Sequence, residues 1–318
     1  MQKAHVSATA SAPGKIILFG EHAVVYQRPA IAVPVTGVRA TATVTDRSGV
    51  VGSQVRIVAR AVDLDCPLSD LPADHPLALA ITATMAQMNL ERLPPLRIEV
   101  SSTIPIAAGL GSGAAVSAAI ARALAKFTGV PLTEAQVSAI AYRVDQKHHG
   151  TPSGIDNTVV AYAQPVWFVR GQPFERLSVA EPFTVVIGDS GVSSPTGAVV
   201  GDLRARWQAD SARYERLFDQ VGAIAKQART LIEHGPAARL GPLMTQNHAM
   251  MQTLDVSSPA LDRLVQAALD SGALGAKLCG GGRGGNMIAL VTEPSSQAVA
   301  EALQAAGAAG TIVTTIRG

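Results

Sequence analysis

From Tyr214 onward, apolar residues return at Leu217, Phe218, Val221, Ile224, Ala228, Leu231 and Ile232, which is one face of a 3.6-residue helix turned to a core. The first 63 residues follow another rhythm. There, β-branched stretches at 30–35, 38–45 and 55–62, punctuated by Pro34, Gly37, Ser48 and Gly49, predict an early sheet. Pro76 opens a helix over 76–88, a strand follows over 96–101, and a small-residue helix over 112–127 stops at Gly129. A further helix over 133–148 begins with Pro-Leu-Thr-Glu, whose acid suits the positive end of the helix dipole. Near Glu181-Pro182 the pattern restarts with a strand over 183–188, which divides the chain into domains 1–181 and 182–318. Helices over 237–254 and 258–271, a strand pair over 273–278 and 287–291, then a helix and a closing strand over 311–316 make the second half α+β.

Composition narrows the function classes. A chain of 318 residues, 47% hydrophobic and 16% charged, has material for two packed domains and excludes large-scale disorder. Its 26 basic and 24 acidic residues leave +2, which supplies neither a nucleic-acid surface nor a polybasic membrane patch, so the expected partner is a small molecule. Cys66 and Cys279 form neither a disulfide framework nor a zinc-ligand spacing, which fits a reducing cytoplasm. Gly14, Lys15, Gly20, Glu21 and His22 interrupt the first apolar stretch, so it is not a secretion signal, and no run of roughly 18 apolar residues predicts a membrane span.

Four stretches carry candidate chemistry. In Ile104-Pro-Ile-Ala-Ala-Gly-Leu-Gly-Ser-Gly-Ala-Ala115, glycines between a strand and a helix let backbone N–H groups approach a polyphosphate, and Ser112 adds a hydroxyl. A structural helix start is the competing reading. A dinucleotide fingerprint is disfavoured by the long turn from Ser101 and the missing ribose-binding acid, and no Gly-Lys-Ser/Thr follows for a Walker loop. A second Gly-rich stretch, 280–285, leads into a strand; five glycines in six residues exceed the needs of a hairpin turn and predict close approach to a ligand or a facing loop. In 145–157, Asp145 near a helix end and Asp156 in a Gly/Pro-punctuated loop offer two carboxylates, one for a metal and one for a proton, unless both are ordinary solvated or capping acids. Zinc held by Asp145, His148 and His149 is disfavoured because adjacent helical residues point to different faces. In 11–26, Lys15, Glu21 and His22 interrupt an otherwise buried stretch, where each must be paired or used.

Together, PGKIILFGEHAVVY, PIAAGLGSGAA and KLCGGGRGGN, with HGTPSGIDN between the second and third, resemble in order and spacing the motifs of the GHMP kinases. FGEHAVVY followed by Pro29-Ala30-Ile31-Ala32 resembles the mevalonate kinase branch of that superfamily. The resemblance spans about residues 12–290. It implies an α+β two-domain GHMP kinase fold, with a ribosomal-protein-like N-terminal domain containing an unusual βαβ unit and a ferredoxin-like C-terminal domain. It also implies ATP as co-substrate, Mg2+ as cofactor, mevalonate as acceptor, no nucleic acid or membrane partner, and a cytoplasmic homodimer.

Residue by residue, the resemblance assigns Pro105, Ala107, Ala108, Gly109, Leu110, Gly111, Ser112, Gly113 and Ala114 to ATP, and Ser112 and Asp145 to the metal. It gives Asp156 and Lys15 the catalytic roles, Asp156 taking the hydroxyl proton and Lys15 stabilising the oxygens in flight. Lys15, Glu21, His22, Asp156, Thr196, Gly281 and Gly282 are assigned to the acceptor. Three departures stand out: Gly113 replaces the second serine of Gly-Ser-Ser, Asp145 replaces the usual Glu, and Arg283 enters a loop that is otherwise glycine. Arg283 either neutralises phosphate or braces a neighbouring acid. A kinase for another alcohol and a nucleotide-binding regulator that lost transfer are the rival readings.

Overall fold

The computed structural model describes residues 7–50, 54–105, 109–149 and 152–318, and of His148 and His149 the backbone only. Contacts divide the chain into two compact units, residues 1–14, 38–106 and 110–163 in the first, and 15–37, 107–109 and 164–318 in the second. Two long strands, β1 (Ser7–Phe19) and β2 (Ala30–Asp46), pass from one unit to the other along the chain. The expected division after residue 181 is continuous, whereas these units interleave. The physical reason is local: Ala30–Ala32 pair with a strand at 166–168, and Ala23 belongs to the core of the second unit.

In the first unit β3 (Arg56–Ala59), β4 (Leu64–Pro67), α1 (Pro76–Gln87) and β5 (Leu96–Ser102) follow β2. Ala40–Asp46 pair antiparallel with β5, β3 lies parallel to β5, and β4 closes the edge. Ala40, Ala42 and Val44 are buried and alternate with residues that keep some exposure, the period of two expected of a sheet with one covered face. Three helices complete this unit, α2 (Ser112–Thr128), α3 (Glu134–His149) and α4 (Ile155–Tyr162). Buried alanines at 114, 115, 118, 119 and 121 let α2 pack closely against its neighbours, and Gly129 at φ 75° ends it where the sequence predicted.

The second unit begins with β6 (Val166–Phe168), which pairs with β2, and β7 (Glu175–Arg176), which pairs with β6. There follow β8 (Phe183–Asp189), α5 (Thr196–Ala209), α6 (Ser211–His234), α7 (Leu240–Thr253), α8 (Pro259–Asp270), β9 (Gly275–Cys279), β10 (Asn286–Val291), α9 (Glu293–Ala305) and β11 (Gly310–Ile316). The last four strands form an antiparallel sheet in the order β11-β8-β10-β9, the split β-α-β arrangement of ferredoxin-like folds, with α8 and α9 packed on it. α6 buries Tyr214, Phe218, Val221, Ile224, Ala228 and Ile232, the face that the periodicity predicted. Phe218 stacks on Tyr26 with ring centroids 4.1 Å apart and is fully buried; truncating such an aromatic costs about 3–5 kcal/mol.

Two expectations are corrected, and one element is new. Pro34 and Gly37 do not break β2, which runs unbroken for 17 residues. Asp156 is not in a loop but in the first turn of α4. The segment from Thr196 is a 14-residue helix that the apolar pattern does not announce, because only Val199 and Leu203 are buried in it. Among the described residues no helix is long and apolar enough to cross a membrane.

Candidate active site

β1 carries Lys15 to Phe19 and then stops at Gly20, where the chain turns back on itself. Gly20 has φ 92°, and a Cβ there would sit 2.3 Å from the Pro29 carbonyl oxygen, so no other residue fits this turn. The turn delivers Glu21 and His22 into the interior, 1% and 5% exposed, with His22 itself in a left-handed conformation (φ 62°, ψ −53°) at the head of a single 3-10 turn. Three buried polar groups therefore need an account.

Glu21 finds two partners. One carboxylate oxygen accepts from Nζ of Lys277 on β9, and the other accepts from Nδ2 of Asn247 on α7 at 3.2 Å. Lys277 is wholly buried and also donates to the Leu278 carbonyl at 2.7 Å. Burial pushes the Glu21 carboxyl above its usual range, and Lys277 beside it works in the opposite direction. Behind this pair, His248 Nδ1 accepts from the Leu278 amide at 3.2 Å, while its Nε2 lies 3.1 Å from Asp262 Oδ1, near in distance but off the line of a good hydrogen bond. Neither Lys277 nor Asn247 was singled out from the sequence. The only signal for Lys277 was a lone cation in a predicted buried strand, the same argument that drew attention to Lys15.

Lys15 donates from Nζ to the Gly109 carbonyl at 3.1 Å. His22 differs: both ring nitrogens are buried with no hydrogen-bond partner among the described residues, and burial lowers its pKa to about 4 despite the nearby Gly281 backbone, which favours the charged ring. At neutral pH the ring is uncharged, with one nitrogen able to donate and one able to accept.

The glycine loop between β9 and β10 is held against two backbone segments. Gly285 N donates to Val192 O at 2.9 Å and Arg283 N to Val256 O at 2.8 Å. A Cβ on Gly282 would lie 1.9 Å from Val256 O, one on Gly284 2.3 Å from Val192 O, and one on Gly281 2.8 Å from Thr196 Oγ1. The facing-loop alternative thus accounts for Gly282 and Gly284, while Gly281 meets the exposed side chain of Thr196 at the start of α5. Arg283 pairs with Asp202 (2.5 Å) and Asp255 (3.6 Å), so it braces neighbouring acids.

In the first unit, Gly111 (φ 71°) leads into α2 without a side-chain cap, leaving the amides of Ser112 and its successors at a helix start. Leu110 and Ala114 are buried beneath it and Pro105 is exposed, whereas Ala107 and Ala108 lie outside the described residues. Asp145, on α3 and 8% exposed, brings Oδ1 to 3.9 Å from the place a Cβ would take on Gly113. A carboxylate beside a helix start bearing the Ser112 hydroxyl is an all-oxygen donor set, the kind a hard divalent cation takes. Among the described residues no three His, Cys, Asp or Glu side chains are grouped to hold a metal by themselves. Asp156 lies half-buried in the first turn of α4, after Gly154 (φ 89°). Lys15 belongs to the second unit and Asp156 to the first.

The second unit thus holds a buried, bonded acid, an uncharged histidine and a lysine on the Gly109 carbonyl, and the first holds a carboxylate beside an uncapped helix start. Two family models match the chain: GHMP kinases N terminal domain matches residues 77–164 and GHMP kinases C terminal matches 228–309. The chain belongs to the GHMP kinase family. Among its relatives are the mevalonate kinase of Thermococcus sibiricus, 35% identical with 94% of this chain and 93% of that protein covered, and that of Pyrococcus furiosus, 32% identical with 94% and 93% covered. Among solved structures, that of L. major mevalonate kinase in complex with R-mevalonate is 28% identical, with a TM-score of 0.86 over 99% of this chain and 98% of that one.

Proposed function

We propose that the chain moves the γ-phosphoryl group of ATP onto the primary hydroxyl of mevalonate, releasing ADP and 5-phosphomevalonate. The observation that carries this reading is near full-length identity of 35% to a mevalonate kinase, joined to the likeness to a mevalonate kinase that holds R-mevalonate.

Phosphoryl transfer asks mainly for positioning and for neutralising charge on the oxygens in flight. Asp156 is assigned to the proton of the attacking hydroxyl, and Lys15 to stabilising the transferred group. The backbone from Gly109 to Gly113 and the start of α2 are assigned to the ATP phosphates. Ser112 and Asp145 would hold Mg2+, which supplies positive charge to the β- and γ-phosphates. Because both oxygens of Glu21 are taken by Lys277 and Asn247, its role is to fix the turn that presents His22. His22, uncharged, is assigned to the polar groups of the acceptor, with Thr196 and Gly281 beside it. The same reading takes the chain as cytoplasmic, in keeping with its free Cys66 and Cys279, and as a homodimer on the strength of resemblance alone.

A coupled assay of ADP release tests the reading. Release that requires Mg2+ and mevalonate, and is absent with galactose or homoserine, supports it. Release with another alcohol transfers the machinery to another acceptor, and none with any alcohol leaves a nucleotide-binding protein.

A further inference from the structure

Arg283 is the one residue of the 280–285 loop with a side chain, and it sits at φ 55°, a left-handed conformation that favours glycine. Its amide and both terminal guanidinium nitrogens are engaged there. The amide donates to Val256 O at 2.8 Å, Nη1 donates to Asp202 Oδ2 at 2.5 Å, and Nη2 donates to the Asp255 carbonyl at 3.4 Å, with Asp255 Oδ2 at 3.6 Å. Asp255 is itself left-handed (φ 55°) and receives a second cation, Arg206 Nη1, at 2.8 Å. Asp202 and Arg206 are one turn apart on α5, and Arg206 Nε reaches the Asp202 carbonyl at 3.4 Å. The circuit therefore closes: Arg283 to Asp202, along α5 to Arg206, across to Asp255 and back to Arg283.

This ring of alternating charge ties three segments of the second unit together: the glycine loop, α5 and the turn after α7. Each member is partly exposed, from 29% for Arg206 to 77% for Asp255, so the ring adds little to overall stability. Its geometric effect is larger. α5 begins at Thr196, whose hydroxyl lies 2.8 Å from the position of a Cβ on Gly281, so a shift of α5 or of the loop moves Thr196 and Gly281 apart.

We propose that Arg283, through Asp202, Arg206 and Asp255, is a positioning residue that fixes Thr196 against Gly281 and so sets the acceptor end of the site. The proposal rests on the assignment of Thr196 and Gly281 to the acceptor. Arg283 does not itself meet the reacting groups; a guanidinium that binds two acids from two elements orients both.

The test is steady-state kinetics of full-length Arg283→Ala, Arg283→Lys and Asp202→Asn, with amide hydrogen exchange over residues 192–200 and 280–285. KM for mevalonate should rise about tenfold in Arg283→Ala while kcat and KM for ATP hold within about twofold, since only the acceptor is misplaced. Arg283→Lys should recover part of the loss, the Asp202→Asn and Arg283→Ala losses should not add, and exchange in both segments should quicken. Unchanged KM for mevalonate overturns the proposal. So does a rise in KM for ATP alone, which would make Arg283 a phosphate ligand. If Arg283→Ala does not fold, Asp202→Asn carries the same comparison, its side chain being 59% exposed. Hydrogen exchange reads the ring without any substrate, so wild-type enzyme inactive on mevalonate would sink the functional reading and leave the ring to be judged separately.

Discussion

Lys277 and Glu21, 256 residues apart in the chain, form an ion pair from which water is excluded, at 0% and 1% exposure. Two charges lose their hydration in such a place, and mutual attraction with good hydrogen bonds offsets that loss only while both are present. Lys277→Met should therefore lower unfolding stability by about 3–5 kcal/mol, because it leaves a buried carboxylate with Asn247 alone. The double variant Lys277→Met with Glu21→Gln should recover most of it. Urea titration of the four proteins checks this; equal losses in the single and double variants would contradict it.

Adjacent glycines in the loop should respond differently to the same methyl group. On Gly282 (φ 77°) it would strike the Val256 carbonyl at 1.9 Å, which is backbone and cannot step aside. Gly282→Ala should cost about 2–4 kcal/mol of stability. On Gly281 it meets the Thr196 side chain at 2.8 Å, which can rotate, so Gly281→Ala should cost about 1 kcal/mol or less in stability and raise KM for mevalonate. Melting curves beside kinetics separate the two, and a reversed order would remove the assignment of Gly281.

His22 predicts a pH dependence with a definite sign. Its pKa falls from 6.5 to about 4 on folding, so below 6.5 the unfolded chain binds a proton that the folded chain refuses. The contribution is fully present above pH 6.5 and is lost as pH drops toward 4, by about 3 kcal/mol at about 1.4 kcal/mol per pKa unit. Since the raised pKa of Glu21 acts with the opposite sign, the measurement is a difference: urea unfolding of wild type against His22→Gln from pH 7.5 to 4. The gap between the curves should change through that window. A constant gap would place the ring in solvent.

Gly113 offers a gain of function. A Cβ there would stand 3.9 Å from Asp145 Oδ1, ordinary van der Waals distance, so Gly113→Ser is accommodated and adds a hydroxyl to the oxygen donors near Asp145. The Mg2+ concentration giving half-maximal activity should fall several-fold, with thermal stability unchanged. No change on Mg2+ titration would take the cation away from this corner.

How far the sequence reached can be seen in single residues. The α6 stripe and the Gly129 stop were legible because a helix face and a left-handed cap are local properties. α4 was not: Pro-Ser-Gly before Ile155 reads as loop, and eight residues are too few to show a period. Thr196 was placed by a loose match and proves to open α5, whose apolar stripe is two residues wide. Lys277 was missed because its neutralising partner is defined only by folding, and no spacing along the chain connects residue 277 to residue 21. The interleaving of the two units escaped for the same reason, since it depends on which strands pair.

Transfer itself is read most directly with ATP labelled at the γ-phosphate. With Mg2+ and mevalonate, the wild-type chain should place one label on the primary hydroxyl for each ADP formed, and Asp156→Asn should slow this by about a hundredfold to ten-thousandfold with ATP affinity nearly intact. Label released only as inorganic phosphate, or an Asp156→Asn variant that transfers at the wild-type rate, would contradict it.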